Sequence, residues 1–146
     1  MIALHKTLIL ALRPWVTALA LAGTAGAALA DSQAWNYKSY LRDRTSGQYD
    51  KEKFRTSTIT LTEKDGQATF RMLTSGRGDL CISASDLPAE VQRGADTTTI
   101  TVTPTLAGCE PFRYVIRNDG SGGIRQFRKD DRWVADGFDH DLTPKK

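Results

Sequence analysis

Short runs in which apolar and polar residues alternate dominate the chain from Trp35 onward. Around Trp35 and Tyr37, apolar and polar residues take turns, which predicts a first strand. In the segment RTSTITLTEKDGQATFRMLT, Ile59 and Leu61 lie opposite a row of threonines, and an Asp-Gly pair separates them from a second alternating run. Because Asp-Gly suits a type I′ turn, this segment is predicted to be a β-hairpin.

The second half of the chain continues in the same way. TTTITVT predicts a strand because its β-branched residues are dense, FRYVIRNDGSGGIRQFR predicts a hairpin turning at residues 119–123, and RWVAD predicts a last short strand. DLCIS is predicted to be a short strand. DLPAEVQRG is instead predicted to form a short helical turn, with Asp86 as its cap, Pro88 in the first turn and Gly94 at its end.

About seven short strands with turn residues at each break predict an antiparallel all-β domain. Such a domain forms either a small barrel or a sandwich. A closed barrel is favoured over a sandwich because closure removes exposed strand edges. Trp35 and Trp133 are candidates to join the terminal strands.

Residues 1–30 differ from the rest of the chain. They contain Lys6 and Arg13, no acidic residue, and an apolar run that ends in the small residues Ala28 and Ala30. This is typical of a secretory signal peptide cleaved after Ala30. The apolar run is shorter than the roughly 20 residues that span a membrane, so no transmembrane segment is predicted after cleavage.

Cleavage would leave a single all-β domain at residues 31–146, in the periplasm or outside the cell. It would also lower the formal net charge from +3 to +1, because Lys6 and Arg13 are lost and no acid is. Proteins that bind nucleic acid usually concentrate basic charge on one face. A nucleic-acid partner is therefore not predicted.

Cys81 and Cys109 are the two cysteines of the chain, and both follow the predicted cleavage site. Exported proteins encounter an oxidising compartment, and neither residue belongs to a C-x-x-C motif, so the pair is predicted to form a disulfide. The chain-entropy model gives a bridge that closes a loop of this length roughly 3.5 kcal/mol of stability.

The segment WVADGFDHDL brings four potential metal ligands into six positions: Asp136, Asp139, His140 and Asp141. In a strand, Asp139 and Asp141 would share a face and His140 would point away; an irregular loop could gather all four. The order lacks the EF-hand pattern, and zinc would need a further ligand. The alternative is a turn with Phe138 in the core and with acids that are solvated or paired with arginines. No cofactor is predicted.

Four arginines of the FRYVIRNDGSGGIRQFR hairpin are candidates to bind an acidic partner. Arg113 and Arg117 alternate with apolar residues that are typical of a core, whereas the face of the other two depends on the register of the hairpin. The four candidates are Arg113, Arg117, Arg125 and Arg128.

These patterns favour an exported, non-enzymatic binding or interaction module whose partner is a protein or an envelope polymer. One alternative is a small metal-dependent or carboxylate-based hydrolase that uses the acidic C-terminal segment. Another follows from SGQY at residues 46–49, which resembles the Ser-Gly-and-Tyr loop of exported inhibitors of cell-wall hydrolases, although with a different spacing. That resemblance implies a small all-β inhibitor.

Overall fold

The computed structural model describes residues 30–43, 45–76, 79–82 and 85–146, so the predicted signal peptide lies outside it apart from Ala30. These residues form eight antiparallel strands, each paired with the next, and β8 also pairs with β1 to close a barrel. The strands are β1 Asp31–Arg42, β2 Tyr49–Lys64, β3 Gln67–Thr74, β4 Leu87–Arg93, β5 Thr97–Val102, β6 Phe112–Arg117, β7 Gly123–Lys129 and β8 Arg132–Pro144.

The all-β class is confirmed, and the described residues form eight strands where about seven were predicted. One of the eight, β4, was not among the predicted strands, because the sequence predicted a helical turn there. Its alternate residues Leu87, Ala89 and Val91 are buried or half-buried, and Pro88 stands at the beginning of the strand, where a missing N–H donor is tolerated. The prediction of a strand at DLCIS is wrong, because Leu80–Ile82 forms a 3₁₀ turn.

The interior of the barrel is filled by large side chains that alternate along the strands. Phe70 stacks on Tyr114 with ring centroids 5.9 Å apart, and Tyr37 meets Tyr114 edge-on at 5.6 Å. Each apolar side chain buried in this way contributes about 1.5–3 kcal/mol. The core consists of Trp35, Tyr37, Ile59, Leu61, Phe70, Met72, Ile82, Leu87, Ile100, Val102, Phe112, Tyr114, Ile116 and Leu142.

The two predicted hairpins are present. Asp65 and Gly66 connect β2 to β3 with φ angles of 52° and 76°, as a type I′ turn requires. Residues 118–122 connect β6 to β7, and the prediction that Phe112, Tyr114 and Ile116 form the core face of β6 is confirmed by their burial.

The two ends of the barrel differ in how their strands are connected. At one end, which we call the turn end, short turns lie at residues 65–66, 94–96 and 118–122, beside the first residue of β1 and the last of β8. At the other, the disulfide end, the described parts of the connections are residues 43, 45–48, 75–76, 79–82, 85–86, 103–111 and 130–131.

The disulfide end is held together by the predicted bridge. Cys81 and Cys109 are bonded, with their Cα atoms 5.6 Å apart, and they join the β3–β4 connection to the β5–β6 connection. Ile82, next to the bridge, is buried in the core, so the bridge also fixes the 3₁₀ turn over the interior. No helix among the described residues is long and apolar enough to cross a membrane.

The barrel closes through a short seam between its first and last strands. Trp35, Asn36, Tyr37 and Lys38 of β1 pair with residues 141–144 of β8, and the N–H of Lys145 donates to the carbonyl of Ala34. Trp35 therefore lies at the seam as predicted. Trp133 does not, because it pairs with Arg128 near the other end of β8.

Candidate functional site

The acidic C-terminal segment lies in β8, not in an irregular loop, and its four candidate ligands divide between the two faces of that strand. Asp139 and Asp141 point outward. Arg117 Nη2 donates to both carboxylate oxygens of Asp139 at 2.7 and 2.9 Å, and the hydroxyl of Tyr40 donates to Asp141 at 2.6 Å. These two acids are thus paired with neighbours on the outer surface of the barrel.

His140 and Asp136 point inward and form a buried pair. A bulge makes this possible: between the pairs Ile124↔Asp139 and Gln126↔Ala135, β8 has three residues where β7 has one. The bulge turns the Asp136 side chain toward His140, whose Nε2 lies 2.6 Å from Asp136 Oδ2. His140 is 4% exposed, so this pair is sealed inside the barrel.

Tyr37 completes the buried network, since its hydroxyl lies 3.3 Å from His140 Nδ1. An ionised carboxylate only accepts hydrogen bonds, so Nε2 donates to Asp136 and, in the neutral ring, Nδ1 accepts from Tyr37. Burial raises the pKa of Tyr37, although the charge of Arg125 acts in the other direction. The network thus gives a hydrogen-bond partner to the Asp136 carboxylate and to both ring nitrogens of His140.

The four predicted ligands are therefore not brought to one point. Asp136 and His140 are together, and Asp139 and Asp141 each have a partner elsewhere. Among the residues that the structure describes, no three acidic, histidine or cysteine side chains are grouped so that they could hold a metal ion.

Phe138, which the sequence placed in the core, lies at its edge. It is half-buried, and its ring packs 4.9 Å from Tyr40, 4.7 Å from Tyr49 and 5.2 Å from His140, measured between centroids. It thus connects the bulge of β8 to the hairpin of β1 and β2. The aromatic ring covers the buried network from outside.

The four candidate arginines also separate. Arg113 and Arg128 lie against Trp133 on the outer face, and Arg117 binds Asp139 there. Desolvation, and secondarily the charge of Arg128, lower the pKa of Arg113. Arg125 instead pairs with Tyr114 in register and faces the interior, where its guanidinium lies over the ring of Phe127 at 4.4 Å.

One exposed loop is held in place by a single carboxylate. At the tip of the β1–β2 hairpin, which we define as residues 43 and 45–48, Asp43 Oδ1 accepts from the N–H groups of Thr45 and Ser46 at 2.9 and 2.7 Å. Arg42 Nε donates to the carbonyl of Gly47 at 2.6 Å. Hydrogen bonds from the Ser46 and Thr45 groups hold the pKa of Asp43 below its usual range.

A second surface crosses the outside of β8, β1, β2 and β3. It is a groove of about 610 Å³, which we call the four-strand groove. Its outward-facing floor forms two rows of side chains, because directly paired residues share a face. The first row is Thr143, Asn36, Thr58 and Leu73, and the second is Asp141, Lys38, Thr56 and Ser75.

Sequence reasoning missed both the groove and the buried network. The groove has no local motif, because its residues come from four strands whose order in the sheet was unknown. One signal for the network was present: the strand reading of the acidic segment places His140 on the face opposite Asp139 and Asp141, as observed. The bulge that adds Asp136 to the interior has only Gly137, with φ of 80°, as its signal.

Comparison of the chain with models of known protein families, with curated proteins and with solved structures found no match. Its function is therefore inferred from the two exposed surfaces, the hairpin tip and the four-strand groove.

Proposed function

We propose that the protein is an exported, non-enzymatic binding module that docks on a protein partner of the bacterial envelope or extracellular space through the hairpin tip. The observation that carries this proposal is the hydrogen-bonded order of an exposed loop. Asp43 fixes Thr45 and Ser46, and Arg42 fixes Gly47, although all of these side chains or backbone groups lie at the surface.

Order in an exposed loop favours binding because association otherwise costs conformational entropy. Immobilising a flexible side chain costs about 0.5–1.5 kcal/mol, and a loop that is already fixed avoids part of this. The backbone N–H of Asp43 also donates to the carbonyl of Gln48 at 2.7 Å, which ties the two sides of the tip together. A rigid barrel that presents such a loop is a suitable scaffold for recognition.

The burial of Asp136 and His140 supports a structural role for that pair. A catalytic base must reach the proton that it abstracts, and His140 lies beneath Phe138 and Tyr37. The Cys81–Cys109 bridge supports export, since disulfides persist in oxidising compartments.

A specific form of this proposal is inhibition of a cell-wall hydrolase. Ser46, Gly47 and Gln48 of the SGQY segment lie at the tip, and Tyr49 begins β2 beneath it. The carbonyl of Gly47 is fixed by Arg42, so the segment has a defined shape that an enzyme cleft can accept.

Site-specific photo-crosslinking tests the docking. A photoreactive residue at Ser46 is compared with one at Gln67, which is also exposed but lies at the turn end. We expect a discrete crosslinked protein from the Ser46 position, competed by unlabelled protein and weakened by Asp43→Ala. Equal labelling from both positions, or labelling that Asp43→Ala leaves unchanged, would contradict docking through the tip.

The inhibitor form has a separate assay. The rate at which peptidoglycan hydrolases clear a cell-wall suspension is measured with the wild-type protein and with Asp43→Ala. Inhibition that depends on Asp43 supports this form. Full hydrolase activity at saturating wild-type protein rejects it, while leaving the crosslinking result as the test of docking in general.

A further inference from the structure

The four-strand groove has dimensions that suit an extended ligand. Neighbouring strands lie about 4.8 Å apart, so its four strands span roughly 14 Å across the sheet. Two rows of side chains follow that direction from β8 to β3. A ligand that lies in the groove therefore crosses the strands and contacts each of them in turn.

The charge of the groove floor is balanced. Lys38 Nζ lies 3.7 Å from Asp141 Oδ2, and the Tyr40 hydroxyl donates to the same oxygen of Asp141. The other six floor residues are uncharged. A polyanion would meet the Asp141 carboxylate and gain little from a lysine that is already paired, so the floor favours a neutral ligand.

The middle of the groove, on β1 and β2, offers side chains and not backbone to a ligand. At this level β1 pairs with both β8 and β2, and β2 pairs with both β1 and β3. A peptide that binds as an added strand needs an open edge, which these strands do not provide here. The floor presents the hydroxyls of Thr58 and Thr143 and the amide of Asn36, groups that both donate and accept. The hydroxyls of Thr56 and Ser75 also lie there, 3.0 Å apart and hydrogen-bonded to each other, and each keeps capacity for a further hydrogen bond.

Apolar surface lies at two places beside these polar groups. Leu73 is 52% exposed at the β3 side of the floor. Phe54, 43% exposed, precedes Thr56 by two positions on β2, and its ring centroid is 5.1 Å from Lys38 Nζ. A sugar ring presents hydroxyls at its edges and C–H groups on its faces, which matches this arrangement of hydroxyls, amide and apolar side chains.

We propose that the four-strand groove is a binding site for a neutral polysaccharide. The ligand lies across β8, β1, β2 and β3, its hydroxyls bind the threonine and asparagine side chains, and its C–H faces contact Leu73 and Phe54. This site uses residues other than those of the hairpin tip, so it is independent of docking on a protein partner.

Matched double variants on one strand test the site. Thr56→Val with Thr58→Val removes two hydroxyls from the groove and keeps the shape and the β-propensity of the residues. Thr60→Val with Thr62→Val makes the same change on the same outer face of β2, outside the groove. Leu73→Ser removes the exposed apolar side chain and provides a second variant of the groove. Circular dichroism and thermal melting establish that each variant is folded.

Binding of the purified protein is measured by calorimetry with neutral oligomers of glucose, mannose and N-acetylglucosamine, and with heparin as a polyanion. We expect binding of at least one neutral oligomer, weakened about tenfold by Thr56→Val with Thr58→Val, because two hydrogen bonds of typical net strength give a factor of this order. The Thr60→Val with Thr62→Val protein and the wild type should agree within about twofold.

Three results would overturn the proposal. One is the absence of binding to every neutral oligomer of the panel. The second is an equal loss of binding in the two threonine double variants, which would place the ligand elsewhere. The third is tighter binding of heparin than of any neutral oligomer.

Discussion

Phe138 is the residue at which the acidic segment, the buried network and the β1–β2 hairpin come into contact. Its ring packs against Tyr40, Tyr49 and His140, while the carboxylates on either side in sequence take unrelated positions. Asp139 and Asp141 are exposed and paired on the surface, where ion pairs contribute about 0–1 kcal/mol. The aromatic ring and the acids therefore differ in their importance for stability.

We expect Phe138→Ala to lower the free energy of unfolding by about 1–2 kcal/mol, because full burial of such a side chain contributes about 1.5–3 kcal/mol and Phe138 is half-buried. Asp139→Asn and Asp141→Asn are the matched controls and should stay within about 0.5 kcal/mol of the wild type. Urea denaturation followed by tryptophan fluorescence measures all three. An effect of either Asn variant as large as that of Phe138→Ala would show that the carboxylates stabilise the fold directly.

At the residue scale, the sequence predicted which face of a strand a side chain occupies, but not where two strands come into close contact. It placed Arg113 and Arg117 outside because alternation along β6 is regular. It explained Gly123 by a turn, whereas a Cβ at Gly123 would lie 2.5 Å from the carbonyl oxygen of Val115. The need for glycine there comes from the approach of β6, a contact that no local pattern contains. The burial of Asp136 could not be predicted for the same reason, since it depends on a bulge in β8 opposite β7.

The tip of the hairpin of β1 and β2 is ordered by the hydrogen bonds of one carboxylate. Asp43 accepts the hydrogen bonds of the tip, and its pKa is lowered because the N–H groups of Ser46 and Thr45 and the Ser46 hydroxyl favour the carboxylate. A group whose pKa is lowered by folding stabilises the folded form above its unfolded pKa of about 3.9. That contribution is lost as the pH falls through the lower, folded pKa.

We expect the Asp43 carboxyl to titrate below its value in a short peptide of residues 42–49, in NMR spectra recorded from pH 6 to about pH 2. The amide shifts of Thr45 and Ser46 should follow the same curve, because these amides bind that carboxylate. A peptide-like midpoint for Asp43 would mean that the tip is not ordered by its charge.

At the element scale, the two hairpins, β2–β3 and β6–β7, could be predicted from the sequence. The 3₁₀ turn and β4, which lie between them in the chain, could not. Asp-Gly with alternating flanks is a strong local signal, and β2 and β3 follow it. The β3–β4 region gave the wrong element twice. Leu80–Ile82 was predicted to be part of a strand and forms a 3₁₀ turn, and β4 was predicted to be a helical turn because Asp86, Pro88 and Gly94 resemble helix signals. Residues 87–93 form a strand because they pair with β3 and β5. These backbone hydrogen bonds to other strands are not part of the local sequence preference.

For the whole molecule, the disulfide joins two connections at one end of a barrel whose other end has short turns. Removing it with Cys81→Ser and Cys109→Ser should lower the free energy of unfolding by about 2–4 kcal/mol, measured by urea denaturation. The wild-type protein unfolded in the presence of a reductant should match the double variant. A double variant as stable as the oxidised wild type would show that the core alone fixes the disulfide end.

The closed barrel was favoured from the sequence on the general ground that closure removes edges, and it is confirmed. What the sequence did not contain was the seam, because the pairing of Trp35 with Pro144 joins residues at opposite ends of the described chain. Such a long-range pair leaves no local trace. The surface that results from it, the four-strand groove, was equally absent from any sequence pattern.

β1 pairs with β8 in the same way that each strand pairs with the next, so the strands form a closed ring. The barrel could therefore keep the same strand order with its chain ends at a different turn. Lys145 already donates to the carbonyl of Ala34, so in a protein made without residues 1–29 a short peptide linker can join Lys146 to Ala30. The chain can then be reopened at the exposed Asp65-Gly66 turn. A circular permutant of this kind keeps every strand neighbour, and it places both new ends on the side of the molecule away from the hairpin tip.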